Sequence, residues 1–373
     1  MSLTRVFALS AVLHLYIGAR LVPALPSLAA QVAMGLLLAA STLLVPAGLT
    51  ARHWAQPPAS DRLTWVGMLF LGLFSSFVVL TFLRDLLLLG FAIAGGAPAH
   101  LRPDSAIAVV LLALALTALG YFNARRTATV RRVQVPLHGL DPALAGFRIV
   151  QISDIHVGPT IKQDYLQAIV ERVNALEPDV VAITGDLVDG SVPELAQHVA
   201  PLASLRAGHG VYFVTGNHEY YAGVHPWLAE LRRLGIRVLQ NEHVVLSHGG
   251  ASLVLAGVHD YTAHHFDETH RSDPAKALAG APEGVTRVLL AHQPRTAPAA
   301  ALAGFDLQVS GHTHGGQFLP WSLFVPLQQP YVAGLHQLGR MWIYVSRGTG
   351  YWGPPKRIGA PSEISELLLS RYG

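Results

Sequence analysis

Hydrophobic positions fall into two regimes along this chain. Over residues 6–25, 28–49, 63–94 and 105–122 they form long, nearly unbroken apolar runs. About 20 such residues in a helix cross the hydrocarbon core of a bilayer, so each run predicts a membrane span, with the third long and the fourth marginal. After residue 140 the runs shorten to strand length and alternate with amphipathic segments. Strands are expected over 147–152, 180–183, 211–214, 253–256, 287–290, 307–309 and 342–346, and helices over 163–176, 195–205 and 227–234. This pattern divides the chain into a transmembrane region over 1–122, a basic linker over 123–145 with an edge strand near Val133–Val135, and a globular domain over 146–373. Strand–helix alternation that gives way to a strand-rich half predicts an α/β domain with a mixed sheet or two stacked sheets.

Polar residues inside the spans are few. The pair Arg84–Asp85 marks either the interfacial end of the third span or a face turned toward neighbouring helices. His14, Arg20, Arg84 and Asp85 lie near span ends, where snorkelling to the interface is the expected arrangement. A cleaved signal peptide fits the first run less well than an anchor, because no small-x-small site precedes the second run. With the N-terminus inside, Arg5, Arg52, Arg62, Arg125, Arg126, Arg131 and Arg132 flank the cytoplasmic ends, against only Arg20 and Arg102 outside. This bias predicts a multi-pass protein of the cell membrane (the inner membrane of a bacterium) with a cytoplasmic C-terminal domain.

Composition adds three constraints. A hydrophobic content of 51% with 13% charged residues and a mean hydropathy of +0.39 are averages over the two regimes. The net charge of +3 is carried largely by arginines beside the spans, so no nucleic-acid partner is expected. Cysteine is absent, which excludes disulfides and thiolate ligands; any metal site must use His, Asp, Asn or Glu.

Five predicted strands each run into a short loop of such residues: Asp154-Ile155-His156, Gly185-Asp186 with Asp189 following, Gly216-Asn217-His218-Glu219, His292, and Gly311-His312-Thr313-His314. One histidine after a strand is unremarkable. Five such loops in succession are expected to converge on one edge of one sheet, where open α/β folds place their ligands. Mixed nitrogen and oxygen donors without sulfur suit Mn, Fe, Zn or Co rather than Mg or Ca. A carboxylate such as Asp186 can bridge two ions about 3.5–4 Å apart.

In this order the five motifs resemble the calcineurin-like metallophosphoesterases, and the likeness spans roughly residues 145–360. The tail Ser346–Pro355 is similar to the branch of membrane-associated bacterial phosphodiesterases, and the preceding spans resemble transmembrane proteins with a metallophosphoesterase domain. The resemblance implies a four-layer αββα sandwich and two divalent ions, manganese first among them. One ion would be held by Asp154, His156, Asp186 and His314, the other by Asp186, Asn217, His292 and His312. His218 would stabilise the transition state or protonate the leaving oxygen, with Asp189 orienting it. The implied activity is hydrolysis of a phosphate ester by a metal-bridging hydroxide.

The anchor points to a lipid-linked phosphodiester or pyrophosphate as substrate, with Arg347 and Arg357 as candidate headgroup ligands. A general nucleotide or nucleic-acid phosphodiesterase merely located at the membrane is the alternative within the same class. A transporter or sensor with a phosphate-ligand-binding domain is the alternative outside it. The stretch His259–His270 reads as an exposed histidine-rich loop, with a further metal site as the sharper option. Tyr220, Tyr221 and Trp227 are candidates for the mouth of the site.

Overall fold

The structure is a computed structural model that describes residues 3–96 and 98–372. Met1, Ser2 and Gly373, at the outer ends of the expected domains, lie outside the described residues. The chain divides into a helical unit, which comprises residues up to Arg125 together with Gly353–Ile358, and a sheet unit formed by the rest.

The helical unit contains α1 (Leu3–Leu21), α2 (Leu28–Thr50), α3 (Ala59–Ile93) and α4 (Leu101–Arg125). Each is long and apolar enough to cross a membrane. The third run forms one unbroken helix of 35 residues, so Arg84–Asp85 does not end it. Those two side chains instead face neighbouring helices. Arg84 donates to Ser105 Oγ at 3.0 Å and to the Arg20 and Arg102 carbonyls, while Asp85 accepts from Tyr16 and Arg20, each at 2.9 Å. His14 does not snorkel either: its Nε2 meets Ser41 Oγ at 2.7 Å, its Nδ1 meets the Ser10 carbonyl, and its ring stacks on Phe74. Gly48 and Gly67 set the closest crossing, where a Cβ on Gly67 would fall 2.6 Å from Gly48 Cα. Small residues let membrane helices approach in this way. The returning segment Gly353–Ile358 is held among the same helices, with Lys356 Nζ donating to the Gly72 carbonyl at 2.9 Å and to Ser76 Oγ.

The sheet unit holds two mixed six-stranded sheets. The first contains β1 (Thr129–Leu137), β2 (Arg148–Ile152), β3 (Val180–Thr184), β4 (Val211–Val214), β5 (Arg237–Val238) and β12 (Glu363–Arg371), in the order β1-β12-β2-β3-β4-β5. The second contains β6 (Glu242–His248), β7 (Ala251–Gly257), β8 (Thr286–Leu290), β9 (Leu307–Ser310), β10 (Gly334–Leu338) and β11 (Met341–Val345), in the order β10-β11-β9-β8-β7-β6. Side chains alternate across a strand, and Ile149, Val180 and Ala182 of the first sheet share one core with Leu253, Leu255, Val288 and Leu290 of the second. The opposite faces are also covered, since Val150, Val181 and Ile183 are fully buried. Helices α5 (Gln163–Asn174), α6 (Val192–Val199), α7 (Asn217–Ala222) and α8 (Val224–Arg233) connect the strands of the first sheet.

One strand runs against its own composition. β12 lies between β1 and β2, yet it carries Glu363 and Glu366, both at most 2% exposed. Arg132 and Arg148 hold Glu366 at 2.8 and 3.1 Å, while Arg347 and the Tyr344 hydroxyl hold Glu363. A buried carboxylate persists only with such partners.

Candidate metal centre

The five ligand-bearing loops do converge, but the single sheet edge expected for them is corrected by the topology. β2, β3 and β4 of the first sheet deliver Asp154, His156, Asp186, Asn217 and His218, whereas β8 and β9 of the second deliver His292, His312 and His314. Three parallel strands of one sheet and two parallel strands of the other open onto a common floor.

The local backbone is bent to make this possible. Asp154, His156, Asp186, His312 and His314 all have positive φ, between 50° and 72°. Such angles are disfavoured for residues with a Cβ, and they gather where surrounding structure enforces them for function. Glycines supply the remaining clearance: a Cβ on Gly216 would fall 2.2 Å from Asp186 Oδ1, and one on Gly311 2.3 Å from Asp154 Oδ2.

Two clusters of donor atoms result. Asp154, His156 and His314 form one, and Asp186, His292 and His312 form the other, the atoms within each lying inside 4.8 Å of one another. His156 Nε2 faces His314 Nε2 at 3.0 Å, and His292 Nε2 faces His312 Nδ1 at 3.1 Å. Asp186 Oδ2 lies 3.2 Å from His292 Nε2 and 3.9 Å from His156 Nε2, and so belongs to the rim of both. The far nitrogens of two of these rings are tied back to oxygen: His156 Nδ1 to Asp189 Oδ1 at 3.0 Å and His292 Nδ1 to the Thr184 carbonyl at 2.7 Å. Metal-ligating histidines are oriented in this manner. Asn217 Oδ1 is buried with no hydrogen-bond partner. Facing ring nitrogens and an orphaned amide oxygen fit a pair of divalent cations.

Electrostatics shows the same demand for positive charge. Burial pushes Asp154 up, and the neighbouring Asp186 adds to the shift. Burial also acts on Asp186, but His292 and His218 outweigh it and hold that carboxyl well below its usual range. Without metal, the compensating charge sits on histidine: against the opposing effect of burial, Asp186 and Asp189 raise His218 to about 9. Burial and the adjacent His292 push His312 down to about 3.

His218 stands beside the clusters on α7. Its Nδ1 meets Asp189 Oδ1 at 2.6 Å, and its Nε2 lies 3.9 Å from Asp186 Oδ2. Tyr221 and Trp352 flank its ring at 5.2 and 5.9 Å between centroids. Of the other aromatic candidates, Trp227 is fully buried and bonds the Gly190 carbonyl, and Tyr220 points away toward His259 and His270. Arg347 is tied to Glu363 at 3.0 Å. Arg357 is 1% exposed and belongs to the helical unit.

Two contributors were not singled out from sequence. Glu219 is fully buried and its carboxylate accepts from the backbone N–H groups of Asp186, Leu187 and Gly216 at 3.1, 2.8 and 2.7 Å, clamping two ligand loops together. A cavity of 350 Å³ opens beside Asn217 and His312, lined also by Tyr221, Gln293, Gln329 and the exposed guanidinium of Arg295. The signal for Glu219 was its place beside His218; nothing in the sequence distinguished Arg295 from other surface arginines.

Residues 147–316 match the family model described as calcineurin-like phosphoesterase. The chain is 42% identical over 280 residues to a transmembrane protein with metallophosphoesterase domain from Bos taurus, covering 72% of this chain and 62% of that protein. It is 40% identical over 277 residues to a metallophosphoesterase of Helicobacter pylori, covering 72% of this chain and 73% of that one. It is also 34% identical over 228 residues to a metallophosphoesterase of Aquifex aeolicus, covering 61% and 86% respectively. The aligned region thus spans less than two thirds of the bovine protein and most of the bacterial ones. The family-model match takes in all five candidate ligand loops, and with relatives this similar over most of their length the chain belongs to the calcineurin-like metallophosphoesterases.

Proposed function

We propose that the protein hydrolyses a phosphodiester or pyrophosphate carried by a lipid, using two divalent cations, with manganese the foremost candidate. The observation that carries this reading is the pair of donor clusters sharing Asp186, with His218 beside them. Asp154, His156, Asp186 and His314 would hold one cation, and Asp186, Asn217, His292 and His312 the other. Bound there, the cations would lower the pKa of water and neutralise phosphoryl oxygens as charge develops. The chain's own contribution to bond cleavage falls to His218. Water adds at phosphorus, the opposite P–O bond breaks, and the departing oxygen takes a proton from His218 Nε2, because Nδ1 is committed to Asp189. Arg295 and Gln293 in the adjoining cavity would receive the ester's far side.

Two features support a lipid-linked substrate. Four helices are suited to a bilayer. In the sheet unit, moreover, the segment that ends at the cavity residues Gln328 and Gln329 exposes Leu319, Trp321, Leu323, Phe324 and Leu327 by 49–79%. Exposed apolar side chains gathered in one short segment favour an interaction surface. The arginine bias about the spans supports a cytoplasmic sheet unit, which a reporter fused to the C-terminus would test.

The deciding experiment uses full-length protein in detergent with Mn²⁺, offered bis-p-nitrophenyl phosphate, the monoester and a polyprenyl pyrophosphate. Metal-dependent turnover that is lost in Asp186→Ala, with the lipid substrate preferred, is the expected result. Preference for soluble nucleotides over every lipid substrate would remove the lipid part, and full activity in Asp186→Ala would remove the metal centre.

A further inference from the structure

The stretch around His259–His270 was expected to be an exposed histidine-rich loop, and the structure corrects that for its two ends. His259 and His270 are 4% and 8% exposed. They stack with ring centroids 4.1 Å apart, and His270 forms a further group of donors with His225 and Asp267. His225 comes from the start of α8, whereas Asp267 and His270 come from one short turn three residues apart.

We infer that His225, Asp267 and His270 form a third metal site, of the zinc type, separate from the centre built around Asp186. Each of the three residues offers one donor atom within 4.8 Å of the other two. Asp267 Oδ2 lies 3.4 Å from His225 Nε2 and 3.8 Å from His270 Nε2. Ligands about 2.0–2.1 Å from a tetrahedral zinc stand about 3.4 Å from each other, so little movement closes the shell. Both anchoring residues are already fixed from behind. Asp267 Oδ1 is taken by the Thr269 N–H at 3.0 Å and the Thr269 hydroxyl at 2.6 Å, which leaves Oδ2 facing the histidines. His270 Nδ1 meets the Tyr220 hydroxyl at 2.9 Å, which leaves Nε2 for a metal. Ligating imidazoles in proteins are held by their second nitrogen in the same way.

Two histidines and one carboxylate leave a fourth position for water, and the half-exposed rim gives an ion a way in. The site has a consequence for the catalytic helix. Tyr220 lies on α7, three residues from Asn217 and two from His218. A metal on His270 would therefore fix the hydroxyl that this helix extends into the loop, and tie α7, α8 and the 259–270 loop together. Function as a clamp follows, rather than as a second reaction centre.

His225 is the residue to change, because its side chain is 68% exposed and its loss leaves no buried gap. Full-length protein purified without a histidine tag would be stripped, reloaded with Zn²⁺ and passed over a weak chelator before metal is counted. The expected result is one equivalent more zinc in the wild type than in His225→Ala, with Asp267→Asn behaving like His225→Ala. The same difference should appear between Asp186→Ala and Asp186→Ala/His225→Ala, so the third site is counted even where the centre at Asp186 is disabled. Equal zinc in the wild type and in both His225→Ala and Asp267→Asn would overturn the inference and leave His225 and Asp267 as an ordinary surface ion pair.

Discussion

Two of the polar networks buried among the described residues differ in what they leave unmet. In the helical unit, His14 is bonded at both ring nitrogens, Asp85 receives Tyr16 and Arg20, and Arg84 donates to a hydroxyl and two carbonyls. Each group finds its complement within the protein, as an apolar environment requires. In the sheet unit, ring nitrogens face one another, carboxylates crowd together, and Asn217 Oδ1 has no partner. Five of the residues involved hold positive φ. A satisfied network stabilises structure. An unsatisfied one, kept in place against strain, awaits a ligand, and this contrast separates the two more reliably than the presence of histidine or charge.

The contrast is sharpest at Asp186. Asp186→Ala should lower metal-dependent diester turnover by about 10⁴-fold, more than any single hydrogen-bond donor, because both clusters lose their shared oxygen. Metal content measured after gel filtration should fall with it. Retained metal with retained turnover would mean that the clusters are a satisfied network after all.

His218→Asn should come next, lowering kcat by about 10²–10³-fold with metal content unchanged, as for loss of a general acid. The pH profile gives an independent reading. With His218 as the proposed proton donor, activity would belong to the protonated form and decline as pH rises through its pKa. That value is about 9 without metal, and bound cations can only lower it. The alkaline limb of kcat should thus fall no higher than about pH 9 and vanish in His218→Asn. Asp189→Asn should cost about 10–100-fold, because one oxygen orients both His218 and the ligand His156. If metal affinity and kcat did not both drop, the shared oxygen would be dispensable.

The sequence made the candidate ligands legible because each sits where a strand must end, and there glycine and short apolar runs leave few alternatives. Two stacked sheets were among its readings, but it placed all five ligand-bearing strands on one of them, since register and sheet membership depend on pairings between residues far apart in the chain. β12 was missed for a related reason: Glu363 and Glu366 break the apolar pattern, and only Arg132, Arg148 and Arg347 make their burial tolerable. His225 gave no signal, because Asp267 and His270 reach it only through the fold. Arg295 and the apolar segment at Trp321–Leu327 likewise gained meaning from the cavity beside them.

That apolar segment provides a smaller effect. Phe324→Ser removes an exposed ring, and even partial insertion of such a side chain into lipid is worth about 1–2 kcal/mol. kcat/KM for a polyprenyl pyrophosphate should therefore drop by about tenfold while turnover of bis-p-nitrophenyl phosphate stays level. An equal loss on both substrates would show that the segment shapes the metal centre rather than meeting lipid.

The smallest effect on catalysis should come from the network that is already satisfied. His14→Ala would free Ser41 Oγ and the Ser10 carbonyl and remove the stack on Phe74. Polar contacts between membrane helices are worth only about 0.6 kcal/mol on average, because groups released in the bilayer find other partners. A modest shift in the detergent denaturation midpoint of the helices is expected, with diester turnover within about twofold of wild type. A large loss of turnover with metal content intact would mean that His14 belongs to a functional network despite its full set of partners. The rule that satisfied groups are structural would then fail in the place where it was most cleanly met.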